Sequence, residues 1–430
     1  MNKQLIKNEW LGETVHHAVL PSGLKIFVLP KPGYTKQYAT FASHYGSIDN
    51  KFILPGTEQQ LEVPDGIAHF LEHKLFEEEF GNIFDEFAKL GANTNAFTSW
   101  NITSYLFSST ENFHENLSLL LDFVQRPYFT EENVEKEKGI IEQEIRMYQD
   151  SPHWCALVNL LGALFHSHPV KIDIAGTVES IRKITPETLL KCYNTFYHPS
   201  NMAIFATGDL EPDRVIDQIA ENLARHEYTT QAPIQRVYPP EPKTIFKQQV
   251  EQALAVSRPS QYLGFKDTRV GFGGKALLEK EIASEILLEG IFGRGSELFN
   301  SLYEAGLIDE NFTREYLGEV TYGASILGGE TKDPGQLQQR IVDEISKLHK
   351  DGLDTQVLER SRKKLLGRFA RGFNSLEFVA NNFLNYQFMG TEIFEYPLLL
   401  KEMPLETIQE RFAEHFSLDN LAQSRIVPKA

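Results

Sequence analysis

Four prolines within sixteen residues, Pro233, Pro239, Pro240 and Pro242 in Tyr228–Lys243, divide this 430-residue chain. Proline has no amide hydrogen and bars the residue before it from the helical region, so neither a helix nor a central strand can run through this segment. The helical period of residues 211–226 stops there, and a strand-like pattern begins near 252. A chain of this length exceeds one ordinary core. The expectation is two domains, residues 1–228 and 245–430, joined by an extended linker at 229–244.

Both halves mix periods of 2 and 3.6 residues, which predicts an α+β fold. In the first half, Val15, Ala18 and Leu20, then Leu24, Ile26 and Val28, read as a hairpin around Pro21-Ser22-Gly23. Strands follow at 38–47 and 202–208, and residues 50–63 read as a loop. Helices are expected near 66–78, 82–90, 112–125, 131–149, 153–166, 185–196 and 211–226. The second half predicts strands near 252–265 and 312–328, and helices at 275–292, 296–304, 334–350, 354–370, 376–389 and 405–416.

The chemistry is concentrated at His69-Phe70-Leu71-Glu72-His73. On a helix, residues four apart share a face, so the two imidazoles can meet one Zn²⁺. Glu72 lies within reach of a water at the same ion. The order H-x-x-E-H is the inverzincin signature, and its chemistry is metal-assisted hydrolysis with the carboxylate as general base. Ile67, Ala68, Leu71 and Leu75 give this helix a buried side, and Asp65, just after Pro64, is placed to cap it. Catalytic zinc usually takes three protein ligands. The third is sought in Asn133–Tyr148, a helix with an apolar stripe of Val134, Ile141, Ile145 and Tyr148. Glu137 and Glu144 are seven apart and share one face of it, whereas Glu135 and Glu142 read as solvated.

These two segments resemble the insulinase/pitrilysin metallopeptidases, in the mitochondrial-processing-peptidase-like branch. That family places an E-x-G-x-I-x-x-E helix about seventy residues beyond H-x-x-E-H. Here Glu137-Lys138-Gly139-Ile140-Ile141-Glu142-Gln143-Glu144 fits the pattern, and Glu144 falls 71 residues after His73. The resemblance implies that His69, His73 and Glu144 hold one Zn²⁺, that Glu72 is the base, and that Glu137 is an accessory carboxylate of the catalytic site. Gly91 suits the end of a helix, and the segment Leu90–Ser99 is similar to the family's active-site strand. That likeness implies that the backbone at Asn95, Ala96 and Phe97 contacts a peptide substrate by β-augmentation. Tyr45–Asn50, Asp173–Ile181 and Phe196–Met202 look like the bacterial, cytosolic, Ymf-type members, in which two domains of like fold share a chain.

The chain departs from the pattern in one place. Active members carry an arginine and a tyrosine in a segment reading roughly L-R-E-x-x-G-L-A-Y. Here Ser301-Leu302-Tyr303-Glu304-Ala305-Gly306-Leu307-Ile308-Asp309 puts Tyr303 at the arginine position, with no tyrosine following. Arg314, Tyr316 and Tyr322 are near in sequence but in no motif, and the second half has no H-x-x-E-H. Either a homologous second subunit supplies the missing pair, making a heterodimer or a homodimer, or the oxyanion is handled differently.

The net charge of −17 argues against a nucleic-acid partner. It fits both plain solubility and a cavity that attracts basic peptides. No apolar run is long enough for a membrane span, and the first nine residues lack a signal-peptide core. Cys155 and Cys192, the only cysteines, form no disulfide framework and read as packing residues of a cytoplasmic protein. The expected function is a zinc endopeptidase acting on short unstructured peptides, leader peptides among them. The alternative is a non-catalytic scaffolding subunit that keeps the fold, against which stands the complete ligand set.

Overall fold

The computed structural model describes residues 2–79 and 81–429. It forms two compact units, each a mixed sheet layered with helices. The first comprises residues 1–145, 173–237 and 372–388, and the second 146–172, 238–371 and 389–430.

The sheet of the first unit has seven strands in the order Asn2–Asn8, Glu13–Val19, Lys25–Pro30, Met202–Gly208, Gln37–Ser43, Thr103–Ser109, Asn93–Thr98. Met202–Gly208 runs parallel to Lys25–Pro30, and the other pairings are antiparallel. Every residue of Met202–Gly208 is buried, as a strand covered on both faces must be. Its apolar run is therefore continuous, Ile204-Phe205-Ala206, and does not alternate. Helix Leu376–Phe388 belongs to this unit, with the Phe383 ring 4.8 Å from Phe27 and 5.0 Å from Phe205.

The second unit has a five-stranded sheet in the order Gln249–Leu254, Leu421–Pro428, Ser260–Lys266, Gly323–Glu330, Thr313–Gly318. Helix Pro152–Leu164 packs on it. At Gly264 an added Cβ would stand 2.8 Å from Leu164 Cδ1 and 3.0 Å from Leu160 Cδ2, so the glycine admits this helix.

The α+β class and most helices match the sequence reading. The linear boundaries 1–228, 229–244 and 245–430 differ from the compact units at two helices, each of which joins the sheet of the unit not adjacent to it in sequence. Residues 50–63, expected as a loop, contain strands Lys51–Ile53 and Gln60–Glu62, which form a small sheet with Gln235–Arg236. Strands Asn2–Asn8 and Leu421–Pro428 and helix Glu395–Glu402 were not expected from periodicity. The first is mostly exposed and polar and carries little apolar pattern.

Candidate metal centre

Helix Ile67–Leu75 carries the motif, with Ile67, Ala68, Phe70, Leu71 and Leu75 buried in the first unit's core. Asp65 does not cap it. The N-cap is Gly66 at φ 87°, with no side-chain cap, and Asp65 Oδ1 instead accepts from Asn50 Nδ2 at 2.8 Å. Backbone packing explains this. A Cβ on Gly66 would sit 2.3 Å from the Ala175 carbonyl oxygen, and one on Gly176 would sit 2.4 Å from that of Asp65. Two glycines with positive φ thus let the turn at 173–176 lie against the start of the motif helix. Ser180 Oγ donates to the Asp65 carbonyl at 2.8 Å and fastens the contact.

Helix Glu131–Gln149 supplies the acidic side. Val134, Ile141 and Ile145 are buried as expected, and Tyr148 is partly buried. Glu135 is exposed and paired with Lys138. Glu142, expected to be solvated, is partly buried and accepts from Arg182 at 3.1 Å.

His69, His73 and Glu144 converge, with one potential ligand atom from each lying within 4.8 Å of the others. His73 Nε2 is 3.3 Å from one Glu144 oxygen, and His69 Nε2 is 3.7 Å from the other. A tetrahedral zinc with ligands at about 2.1 Å sets its donors about 3.4 Å apart, so the donor set fits this ion in both type and spacing. His73 Nδ1 is 3.0 Å from Glu137 Oε1. Donation of its N–H to Glu137 leaves Nε2 free to ligate, the carboxylate–histidine arrangement common around zinc. Glu137 touches His73 and also lines the cavity that reaches Glu72. His69 has no equivalent support, because its Nδ1 is buried without a hydrogen bond.

The electrostatics favour a cation. Burial, then the charge of His73, lowers His69 to about 4, so it stays a neutral ligand at pH 7. Burial also opposes charge on His73, but the hydrogen bonds of Glu137 and Glu144 outweigh it and push that imidazole up to about 10. Glu72, 8% exposed, stands outside the ligand set. Burial raises its pKa, and Thr98 Oγ1 partly offsets this by donating to Oε2 at 2.7 Å. Thr98 received no role from the sequence. The H-x-x-E-H spacing cannot disclose it, because the contact joins a helix to a strand.

Thr98 ends strand Asn93–Thr98, the outermost strand of its sheet. Among the described residues only Thr103–Ser109 pairs with it. Asn95 and Ala96 line a cavity of about 760 Å³ that also reaches Glu72, His73 and Glu137. Phe97, 37% exposed, does not line it. The Ala96 N–H is held by Asn95 Oδ1 at 2.9 Å, so an added strand would have to displace that side chain to use it. At the departure from the pattern, Tyr303 is exposed and stacks on Phe299. Arg314 pairs with Glu289 at 2.9 Å, and the Tyr316 hydroxyl donates to Asp267 at 2.6 Å.

Residues 56–178 match the family Insulinase (Peptidase family M16), and residues 183–365 match Peptidase M16 inactive domain. The chain is 44% identical over 427 residues to the uncharacterized zinc protease YmfH of Bacillus subtilis strain 168, covering 99% of each. This chain belongs to the insulinase family of peptidases. The crystal structure of an M16-like peptidase from Alicyclobacillus acidocaldarius superposes with a TM-score of 0.94 at 38% identity, covering 99% of this chain and 100% of that one. A protease from Helicobacter pylori shares the fold, with a TM-score of 0.83 at 18% identity over 96% of this chain and 99% of that one. Both insulinase-family domains are thus present, and the His69, His73 and Glu144 group lies within the first matched region.

Proposed function

We propose that this chain is a zinc-dependent endopeptidase for short unstructured peptides. The observation that carries the reading is the convergence of His69, His73 and Glu144 beside a buried Glu72 that is not a ligand. When bound, zinc supplies Lewis acidity that brings the pKa of a water near 7 and polarises a carbonyl. Glu72 takes the proton of the attacking water on its carboxylate and delivers it to the leaving amide nitrogen. Thr98 fixes the rotamer of that carboxylate, and Glu137 fixes the ring of His73. The free edge of Asn93–Thr98 aligns an extended backbone at Asn95 and Ala96, a geometry open only to unfolded segments. Leader peptides are one such class. Two free, buried cysteines accord with a cytosolic site of action.

We further infer a homologous second subunit that supplies the arginine and tyrosine. Tyr303 stands where the arginine belongs, and Arg314 and Tyr316 are already paired within the second unit. Loss of one oxyanion donor costs about 10²–10³ in rate, so the chain alone is expected to hydrolyse peptides slowly and to gain that factor with its partner. The test combines metal analysis with hydrolysis of a quenched fluorescent peptide. Wild type should bind one zinc and cleave, Glu72→Gln should keep zinc and lose turnover, and Glu144→Gln should lose zinc. Normal zinc content in Glu144→Gln, or undiminished turnover in Glu72→Gln, overturns the assignment. A chain that stays inert both alone and with every homologous partner favours the scaffolding alternative.

A further inference from the structure

The second unit holds a cavity of about 240 Å³ to which hydrolysis at the metal centre gives no role. Part of its wall is apolar. Phe165, Phe272 and Tyr322 line it, with the Phe165 and Tyr322 rings edge to face at 6.3 Å. Val270 belongs to the same wall and is 39% exposed. The rest is charged, and cations outnumber acids there in a chain whose net charge is −17. Lys243, Lys266 and Arg269 face two carboxylates, Glu241 and Asp267. Both carboxylates are already committed. Glu241 accepts three backbone amides and the Lys266 ammonium. Asp267 is buried between Arg411 at 2.8 Å and Lys280 at 3.2 Å, and it accepts the Tyr316 hydroxyl. Lys266 is committed too, donating to Glu241 and to the carbonyls of Pro242 and Thr244.

Two cations and a hydroxyl are left for a ligand. Lys243 is exposed and forms no ion pair among the described residues. The Arg269 guanidinium is 61% exposed and pairs with Glu414 at 3.1 Å, a surface contact that is cheap to exchange. The Val170 amide donates to His168 Nδ1 at 3.1 Å, so the neutral ring carries its proton on Nε2 and gives it to Thr321 Oγ1 at 3.0 Å. The Thr321 hydroxyl proton is thereby left for another acceptor, and Thr321 lines the cavity. Aromatic walls and donors in so small a volume suit an anion and an apolar body joined by a short link. Aspartate and glutamate side chains lack the apolar body. A free amino acid adds an ammonium for which no uncommitted carboxylate remains. The last residue of a peptide carries its carboxylate and side chain on one carbon, and its nitrogen is acylated.

We propose that this cavity docks the C-terminal residue of a peptide, with its carboxylate on Lys243, Arg269 and Thr321 and its apolar side chain against Phe165, Phe272 and Tyr322. The proposal stands apart from the peptidase reading, because no residue of the metal centre takes part in it.

A fluorescein-labelled tetrapeptide, three glycines then phenylalanine with a free carboxylate, is titrated by fluorescence anisotropy against the full chain carrying Glu72→Gln, which keeps the peptide intact. Its C-terminal amide and an alanine-ended copy are titrated beside it. The free acid should bind at least about 10-fold more tightly than either. Lys243→Gln and Arg269→Gln alter exposed side chains. Each should cut the acid-over-amide ratio about threefold, and the two together should abolish it along with its salt dependence. Val270→Glu, which sets a carboxylate in the wall, should weaken the acid and spare the amide. Equal affinity for acid and amide, or a ratio that survives the double substitution, overturns the site. N-acetylphenylalanine should compete at least about 10-fold better than free phenylalanine, and the reverse order overturns the assignment to a peptide end. Glu144→Gln, expected to lose zinc, should bind the peptide undiminished. Loss of binding there would move the contact to the metal centre and overturn the proposal, whereas failure of the metal assays with binding intact would sink only the peptidase reading.

Discussion

Glu72 and His73 show how far single side chains depend on neighbours outside their own helix. The Thr98 hydroxyl stabilises the ionised form of Glu72, so Thr98→Val should raise its pKa. The acid limb of the kcat/KM profile should move to higher pH, with kcat down about 10-fold and zinc content unchanged. A steady-state pH series on both proteins checks this, and an unmoved limb would count against Glu72 as the titrating base. Glu137→Gln acts differently. It weakens the group that orients His73, so zinc affinity in chelator competition should fall about 10–100-fold. Loss of turnover at full zinc occupancy would instead place Glu137 in the chemistry.

At the scale of elements, the start of the motif helix is secured by backbone contact. Gly66→Ala places a Cβ in a left-handed conformation against a carbonyl oxygen 2.3 Å away. It should destabilise the chain by at least about 2 kcal/mol and lower zinc affinity with it. Gly91→Ala makes a useful contrast. Gly91, at φ 75°, meets no atom within 4 Å of an added Cβ and closes helix Ile83–Lys89 in a Schellman arrangement, with the amides of Gly91 and Ala92 donating to Ala88 and Phe87. Strain alone should cost about 1–2 kcal/mol there, with zinc affinity unchanged. Urea denaturation of the three proteins, paired with metal titration, separates the two effects. The sequence disclosed Gly91 as a helix end because that rule is local. It could not disclose Gly66, whose partner lies more than a hundred residues away.

For the whole molecule, the proline-rich segment is tied down within each unit. Arg236 pairs with Asp49 at 2.9 Å in the first. Glu241 is fixed in the second, accepting the amides of His166, Ser167 and His168 at 2.7–2.8 Å and the ammonium of Lys266 at 2.5 Å. Burial would raise the Glu241 pKa, but Lys266 and the three amides outweigh it and hold the carboxyl down at about 2. Its folded pKa thus lies below the ordinary 4.5, so its contribution is complete above about pH 4.5 and fades as pH falls towards 2. Glu241→Gln should destabilise by about 2–4 kcal/mol at pH 7, and by much less near pH 2.5, in denaturant titrations at the two pH values. A difference independent of pH would mean that the carboxylate charge is not what holds the segment.

Local rules made the motif helix, the glutamate helix, the central strands and the proline break legible, because each depends on residues within one or two turns of each other. The 71-residue spacing, read through the family resemblance, named His69, His73 and Glu144 before any fold was known. Only tertiary structure placed Glu137 on the His73 ring, Thr98 on Glu72, and the pair Gly66 and Gly176 at one backbone crossing. It also gave helix Pro152–Leu164 to one sheet and Leu376–Phe388 to the other, since apolar periodicity says that a helix has a buried face but not which sheet covers it. Sequence period reports burial, whereas partners are chosen by shape and hydrogen-bond geometry between segments far apart in the chain.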